Sequence, residues 1–176
     1  WSVCRMTGIP YVGAMERMDW GRVEEKAAVI ERIARRGWSE EDMAVVPLVE
    51  RHQPMVSHAG RAASIPSATF PETRGRGFAM PRPDIERIAM MEALLVANGR
   101  LLAHRGREEE ALQRLIETAV FAVRFTRPQN EASLSSHLAG IEGLELAVGA
   151  ILDVLRSPDL PATARERAAA QLEQIA

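Results

Sequence analysis

The sequence predicts an all-α protein of about five or six helices arranged as antiparallel hairpins. Three observations carry this expectation. Apolar residues recur at helical spacing along most of the chain, most clearly over 84–127 and 130–176. The β-branched runs are short and sit inside those helical patterns, so no strand is expected. Glycines and short polar residues fall where helices should start and stop.

The first 20 residues are the hardest to assign. Gly8-Ile9-Pro10 reads as a turn, and Val12, Met15 and Met18 fit a short helix between Tyr11 and Trp20. Arg22 to Arg36 is a clearer helix, with Val23, Ala27, Ile30 and Ile33 on one stripe and Glu24, Glu25, Glu31 and Arg32 opposite. Gly37 stands where a C-cap glycine belongs. Ser39 with Asp42 makes a capping box for the next helix. That helix should run from about Glu40 towards Ala63, with kinks or a break at Pro47 and Pro54. Residues 64–83 hold four prolines (Pro66, Pro71, Pro81 and Pro83) plus Gly75 and Gly77. A stretch of that length exceeds the ~12–15 residues usual for a loop, which marks it as functional or mobile. Phe70 and Phe78 are expected to anchor it.

Asp84 is a good N-cap for a helix that buries Ile85, Ile88, Met91, Leu94, Leu95, Leu101 and Leu102 and stops at His104-Arg105-Gly106. A second helix follows at once, burying Ala111, Leu112, Leu115, Ile116, Ala119 and Val123. The third runs from about Asn130 or Ser133 to Arg156. Its expected buried stripe is Leu134, Leu138, Ile141, Leu144, Val148, Ile151 and Leu155. Ala139, Gly140, Gly143, Ala147, Gly149 and Ala150 give it a small-residue face suited to close packing. Ser157-Pro158-Asp159 ends it. The last helix, about Pro161 to Ile175, has Ala164, Ala168, Leu172 and Ile175 in register. The organisation read from these elements is an N-terminal helical extension over 1–38 and a helical domain over 39–176.

At 176 residues the chain is long enough for one well-buried core. With 47% hydrophobic and 26% charged residues it falls in the ordinary globular range. A net charge of −2 supplies no global basic field for nucleic acid. Lys26 is the only lysine among the 22 basic residues, a skew that fits a GC-rich genome better than a specific arginine chemistry. Cys4 is the only cysteine, so neither an internal disulfide nor a paired-thiol zinc site is available. No lipoprotein pattern precedes it. No apolar run reaches the ~20 residues of a membrane helix; the nearest, Leu138 to Leu152, contains Glu142 and Glu145. The start at Trp1 suggests a processed or truncated product, and a membrane anchor could have preceded it.

Gly99, Gly106, Ala111 and Leu115 are placed as in tetratricopeptide-like hairpins, with one glycine at a close helix approach and the next in the turn. Leu95 and Leu102 stand where that motif usually has tryptophan and tyrosine. Only one clear repeat is present, short of the three or more of a solenoid. From about Val45 onward the chain also resembles a family of uncharacterised bacterial all-helical proteins with a tetratricopeptide-like C-terminal half. The residues carrying the resemblance are Leu94-Leu95, Gly99 to Leu102, Gly106, Glu110 to Leu112, Ser133 to Leu138 and Glu142 to Ala147. It implies a fold and, through the N-terminal membrane anchor that many members carry, an envelope location. The cytoplasm remains the other compartment that fits. No chemistry is implied.

The histidines are His52, His58, His104 and His137, and none has an acidic residue three positions earlier, so the Glu-x-x-His pattern of carboxylate-bridged metal bundles is missing. Glu142 and Glu145 interrupt an apolar helix, and Glu92 and Glu117 do the same in the hairpin. A buried carboxylate costs several kcal/mol unless it is paired. Either Arg100, Arg114 or Arg124 pairs Glu142 and Glu145, or their face is exposed, or they line a groove with His137 and bind a cationic or polar ligand. Thr73 to Phe78 resembles arginine-glycine-aromatic segments that contact RNA, but one copy in an acidic chain reads better as a loop. Trp1, Trp20 and Trp38 crowd the N-terminal segment and suit either an interface or a core.

The leading expectation is a non-enzymatic interaction or structural subunit that binds a protein partner or larger assembly, with neither cofactor nor nucleic acid. Trp1, Trp20, Trp38, Phe70, Arg74, Arg76 and Phe78 are its candidate partner contacts. The alternative is a small-molecule domain with a pocket at Glu142, Glu145 and His137. A hydrolase with an unrecognised site is the third reading. No catalytic or metal-ligating residue is nominated.

Overall fold

The computed structural model describes residues 18–53, 83–126 and 134–173. Among them the chain is all-helical, with no strand. Its elements are α1 (Trp20–Glu25), α2 (Ala27–Arg36), a 3-10 helix (Glu40–Val45), α3 (Val46–Arg51), α4 (Pro83–His104), α5 (Glu108–Thr126), α6 (Leu134–Leu155) and α7 (Ala162–Glu173). No helix among the described residues is long and apolar enough to cross a membrane.

Helix α4 is the axis of the fold. It packs on α2, α5 and α6, with α3 at its side. From Met91 to Leu102 every residue is buried. Each fully buried leucine there, such as Leu94, Leu95 and Leu101, contributes about 1.5–3 kcal/mol relative to exposure. Burial on all sides also encloses Glu92, Asn98 and Arg100.

The α4–α5 turn is a Schellman motif. The Arg107 N–H reaches the Leu102 carbonyl at 3.0 Å and the Gly106 N–H reaches Ala103 at 2.9 Å. Gly106 takes a φ of 71°, a left-handed value that glycine adopts without penalty. Above the turn the helices meet closely. A Cβ on Gly99 would lie 2.6 Å from Leu115 Cδ2, so the leucine occupies the space the glycine leaves.

Two expectations needed correction. The helix over 22–36 breaks at Lys26, giving α1 and α2. The break expected at Pro47 is present: the 3-10 helix ends at Val45, and Pro47 lies in the first turn of α3, where its missing N–H costs nothing; Pro54 lies outside the described residues. The second correction concerns α6. Leu138, Ile141 and Val148, assigned to the core, are 57%, 46% and 40% exposed. Ile151 is buried as expected, and the face it shares is the expected small-residue one, Ala139, Gly140, Gly143, Ala147 and Ala150, with Leu146 added. Small residues let α6 lie close against α5, its most extensive contact, and α4.

The helix ends are tied by side chains. Gly37 closes α2 at a φ of 90°, and Ser39 with Asp42 forms the capping box. The buried Arg100 donates from Nε to the Ala34 carbonyl at 2.8 Å and pairs with Asp153 at 2.9 Å, which links α4 to the end of α2 and to α6. Arg165 caps the end of α6 through the carbonyls of Leu155 and Ser157.

Candidate functional site

Two features stand out from this scaffold. The first is the outer face of α6. Leu138, Ile141, Val148 and Leu152 are all exposed, and Glu145 lies between the two pairs. The intervals along 138, 141, 145, 148 and 152 alternate three and four residues, the spacing of a coiled-coil seam. The seam is thus apolar at four positions and acidic at its centre.

The second is a cleft of about 160 Å³ between α1, α2, α4 and α6. Val23, Ile30, Met90 and Leu146 supply apolar walls, and Glu31 and Glu142 stand in its lining as exposed carboxylates. Glu92 also lines it, at 0% exposure, and neither carboxylate oxygen has a hydrogen-bond partner. Its neighbour across the helix contact is Gly143, and a Cβ there would collide with the Glu92 carboxyl. Burial pushes the Glu92 carboxyl well above the ordinary carboxylate range, and the negative charge of Glu142 adds to the shift. Arg35 holds both outer acids, at 3.1 Å from Glu31 and 2.7 Å from Glu142.

Glu142 therefore belongs to a cleft, but with Glu92 and Glu31 as its acidic companions. Glu145 and His137 do not line it. Glu142 pairs with Arg35, which was not among the arginines expected, while Arg100 pairs with Asp153 and Arg114 with Glu117; the side chain of Arg124 lies outside the described residues. Glu117 is half-buried and satisfied by Arg114 and Gln113. Among the described residues no group of three or more histidine, cysteine or acidic side chains is placed to hold a metal ion.

Trp38 packs against the core and donates from Nε1 to the Ala97 carbonyl at 2.9 Å. Trp20 packs there too, with the Arg87 guanidinium 5.2 Å from its ring centroid. His52 is buried; its Nε2 accepts the Asp19 N–H at 3.3 Å, and its Nδ1 lies 2.7 Å from the Leu48 carbonyl. Trp1, Phe70, Arg74, Arg76 and Phe78 lie outside the described residues, as does His58.

No protein-family model matches the chain, and neither a curated protein nor a solved structure matches it.

Proposed function

We propose that this chain is a non-enzymatic helical interaction module, and that the outer face of α6 docks an amphipathic helix from a protein partner. The observation that carries this reading is the exposed seam of Leu138, Ile141, Val148 and Leu152. Apolar side chains in one exposed row at heptad spacing are what a facing helix buries. Glu145 at the centre selects the occupant. A second copy aligned symmetrically on this seam would set Glu145 against Glu145, whereas a helix with lysine or arginine at the matching position would pair with it. The Gly99–Leu115 approach and the Gly106 turn support the scaffold as a tetratricopeptide-like hairpin of the kind helical-repeat adaptors stack.

The test uses two soluble helical peptides with the same apolar seam, differing only in a central lysine or glutamate, titrated against the full chain by fluorescence anisotropy. The lysine peptide should bind and the glutamate peptide should bind much more weakly. Equal binding of both, or binding that survives Val148→Asp, would overturn the reading.

A further inference from the structure

The cleft under Arg35 is separate from the α6 seam, and it contains one of the two buried side chains among the described residues, with Asn98 the other, whose polar atoms have no hydrogen-bond partner. Glu92 is completely buried, its two oxygens have no hydrogen-bond partner, and its side chain forms part of the lining of the cleft. A buried acid without a partner is costly to retain, and a cleft beside it offers the place from which a partner could come.

From this arrangement we infer that the cleft is a binding site for a small organic cation, a primary alkylammonium group, with Glu92 as its buried counter-ion. The walls decide between an organic cation and a metal. Val23, Ile30, Met90 and Leu146 suit a hydrocarbon body and offer no ligand atoms to a metal. The size decides the scale. A cavity of about 150 Å³ accepts benzene, so about 160 Å³ accommodates a ligand of about six non-hydrogen atoms. The charges decide the sign. Glu31 and Glu142 line the same cleft, and the single guanidinium of Arg35 is shared between them, so three carboxyl groups face one cation. Burial, and the negative charge of Glu142 after it, disfavour the ionised form of the free Glu92 carboxyl. An incoming ammonium ion supplies the counter-charge that lets it ionise, with Glu31 and Arg35 on α2 and Glu142 on α6 as the charged groups nearby. Gly143 completes the site: the space a side chain would take is where the carboxyl lies.

The experiment titrates the full chain with n-butylammonium, 1-butanol and butyrate, following the methyl NMR signals of Ile30 and Leu146 and the thermal midpoint. The expected result is saturable shifts of both methyl groups and a raised midpoint with n-butylammonium. Binding of 1-butanol should be weaker by about tenfold or more, the value of a charge-assisted hydrogen bond, and butyrate should not bind. Glu92→Gln should abolish the preference for the cation over the alcohol. Ala27→Leu, which fills the cleft and leaves Glu92 in place, should abolish binding of both. Comparable binding of butanol and butylammonium, no saturable shift with either, or a folded Glu92→Gln variant that keeps the preference would overturn the proposal. The comparison of cation with alcohol on the unaltered chain decides the matter even if neither variant folds.

Discussion

Gly143 on α6 leaves the space that the Glu92 carboxyl on α4 occupies, so the packing of these two helices at this point depends on one missing methyl group and one buried acid. The two residues should therefore be coupled. Gly143→Ala gains about 1 kcal/mol of helix propensity but forces the Glu92 side chain to move, an overpacking cost of about 1–3 kcal/mol. The expected net effect is destabilisation, read as a lower urea midpoint. In a Glu92→Ala background the collision disappears, and the same Gly143→Ala change should become neutral or stabilising. Additive effects in that cycle would mean the contact is not there.

Glu92 also sets an alkaline limit on stability. In the unfolded chain it ionises near ~4.3, and in the native protein burial raises it well above that. Between the two values the native state holds a proton that the unfolded state has lost, so stability falls as pH rises. The contribution is complete below the unfolded value and is lost as pH climbs to the folded one, at up to ~1.4 kcal/mol per pH unit for one proton. Urea midpoints from pH 5 to pH 9 should show a decline that Glu92→Gln removes, with the variant more stable than the parent at the upper end.

Asp42 acts in the opposite direction at the acid end. Burial alone would raise its pKa, but hydrogen bonds from Arg32 and from the hydroxyl and backbone N–H of Ser39 outweigh that and lower it. Stability from Asp42 is thus present above the unfolded value of ~3.9 and is lost as pH falls through the lowered native value. Asp42→Asn should blunt the acid loss and cost about 1–2 kcal/mol at neutral pH, as expected for a damaged cap. An acid limb unchanged in the variant would count against this role.

The two faces of α6 should respond differently to substitution. Ile151 is buried, and Ile151→Ala should cost about 2–5 kcal/mol. Leu138→Ser and Val148→Ser lie on the exposed seam and should each change stability by less than about 0.5 kcal/mol. Large losses at Leu138 or Val148 in chemical denaturation would mean that the seam is covered within the chain.

The features that could be read from the sequence are the local ones. Gly106, Gly37 and the Ser39–Asp42 box are determined by a few neighbouring residues, and they stand as expected. Gly99 and Leu115 were readable because a hairpin is local too. The orientation of α6 was not, because both of its faces are apolar. Ranking residues by hydrophobicity puts Leu138 and Ile141 inside, yet close helix contact selects Ala147, Ala150 and Gly143. The acids show the same limit. Glu92 and Glu117 interrupt apolar runs alike, but Glu117 meets Arg114 one helical turn away while Glu92 meets no cation. The Arg35–Glu142 pair joins residues 107 positions apart, a contact that only the tertiary fold creates.

The most direct test of the α6 docking surface is a charge exchange. Glu145→Lys would be titrated against the lysine-centred and glutamate-centred peptides alongside the parent chain. If the seam receives a basic amphipathic helix, the preference reverses: the parent favours the lysine peptide and the variant favours the glutamate peptide, by about tenfold either way for a well-paired charge. If both proteins bind both peptides alike, or neither binds either, Glu145 does not select a partner and α6 is not the docking face.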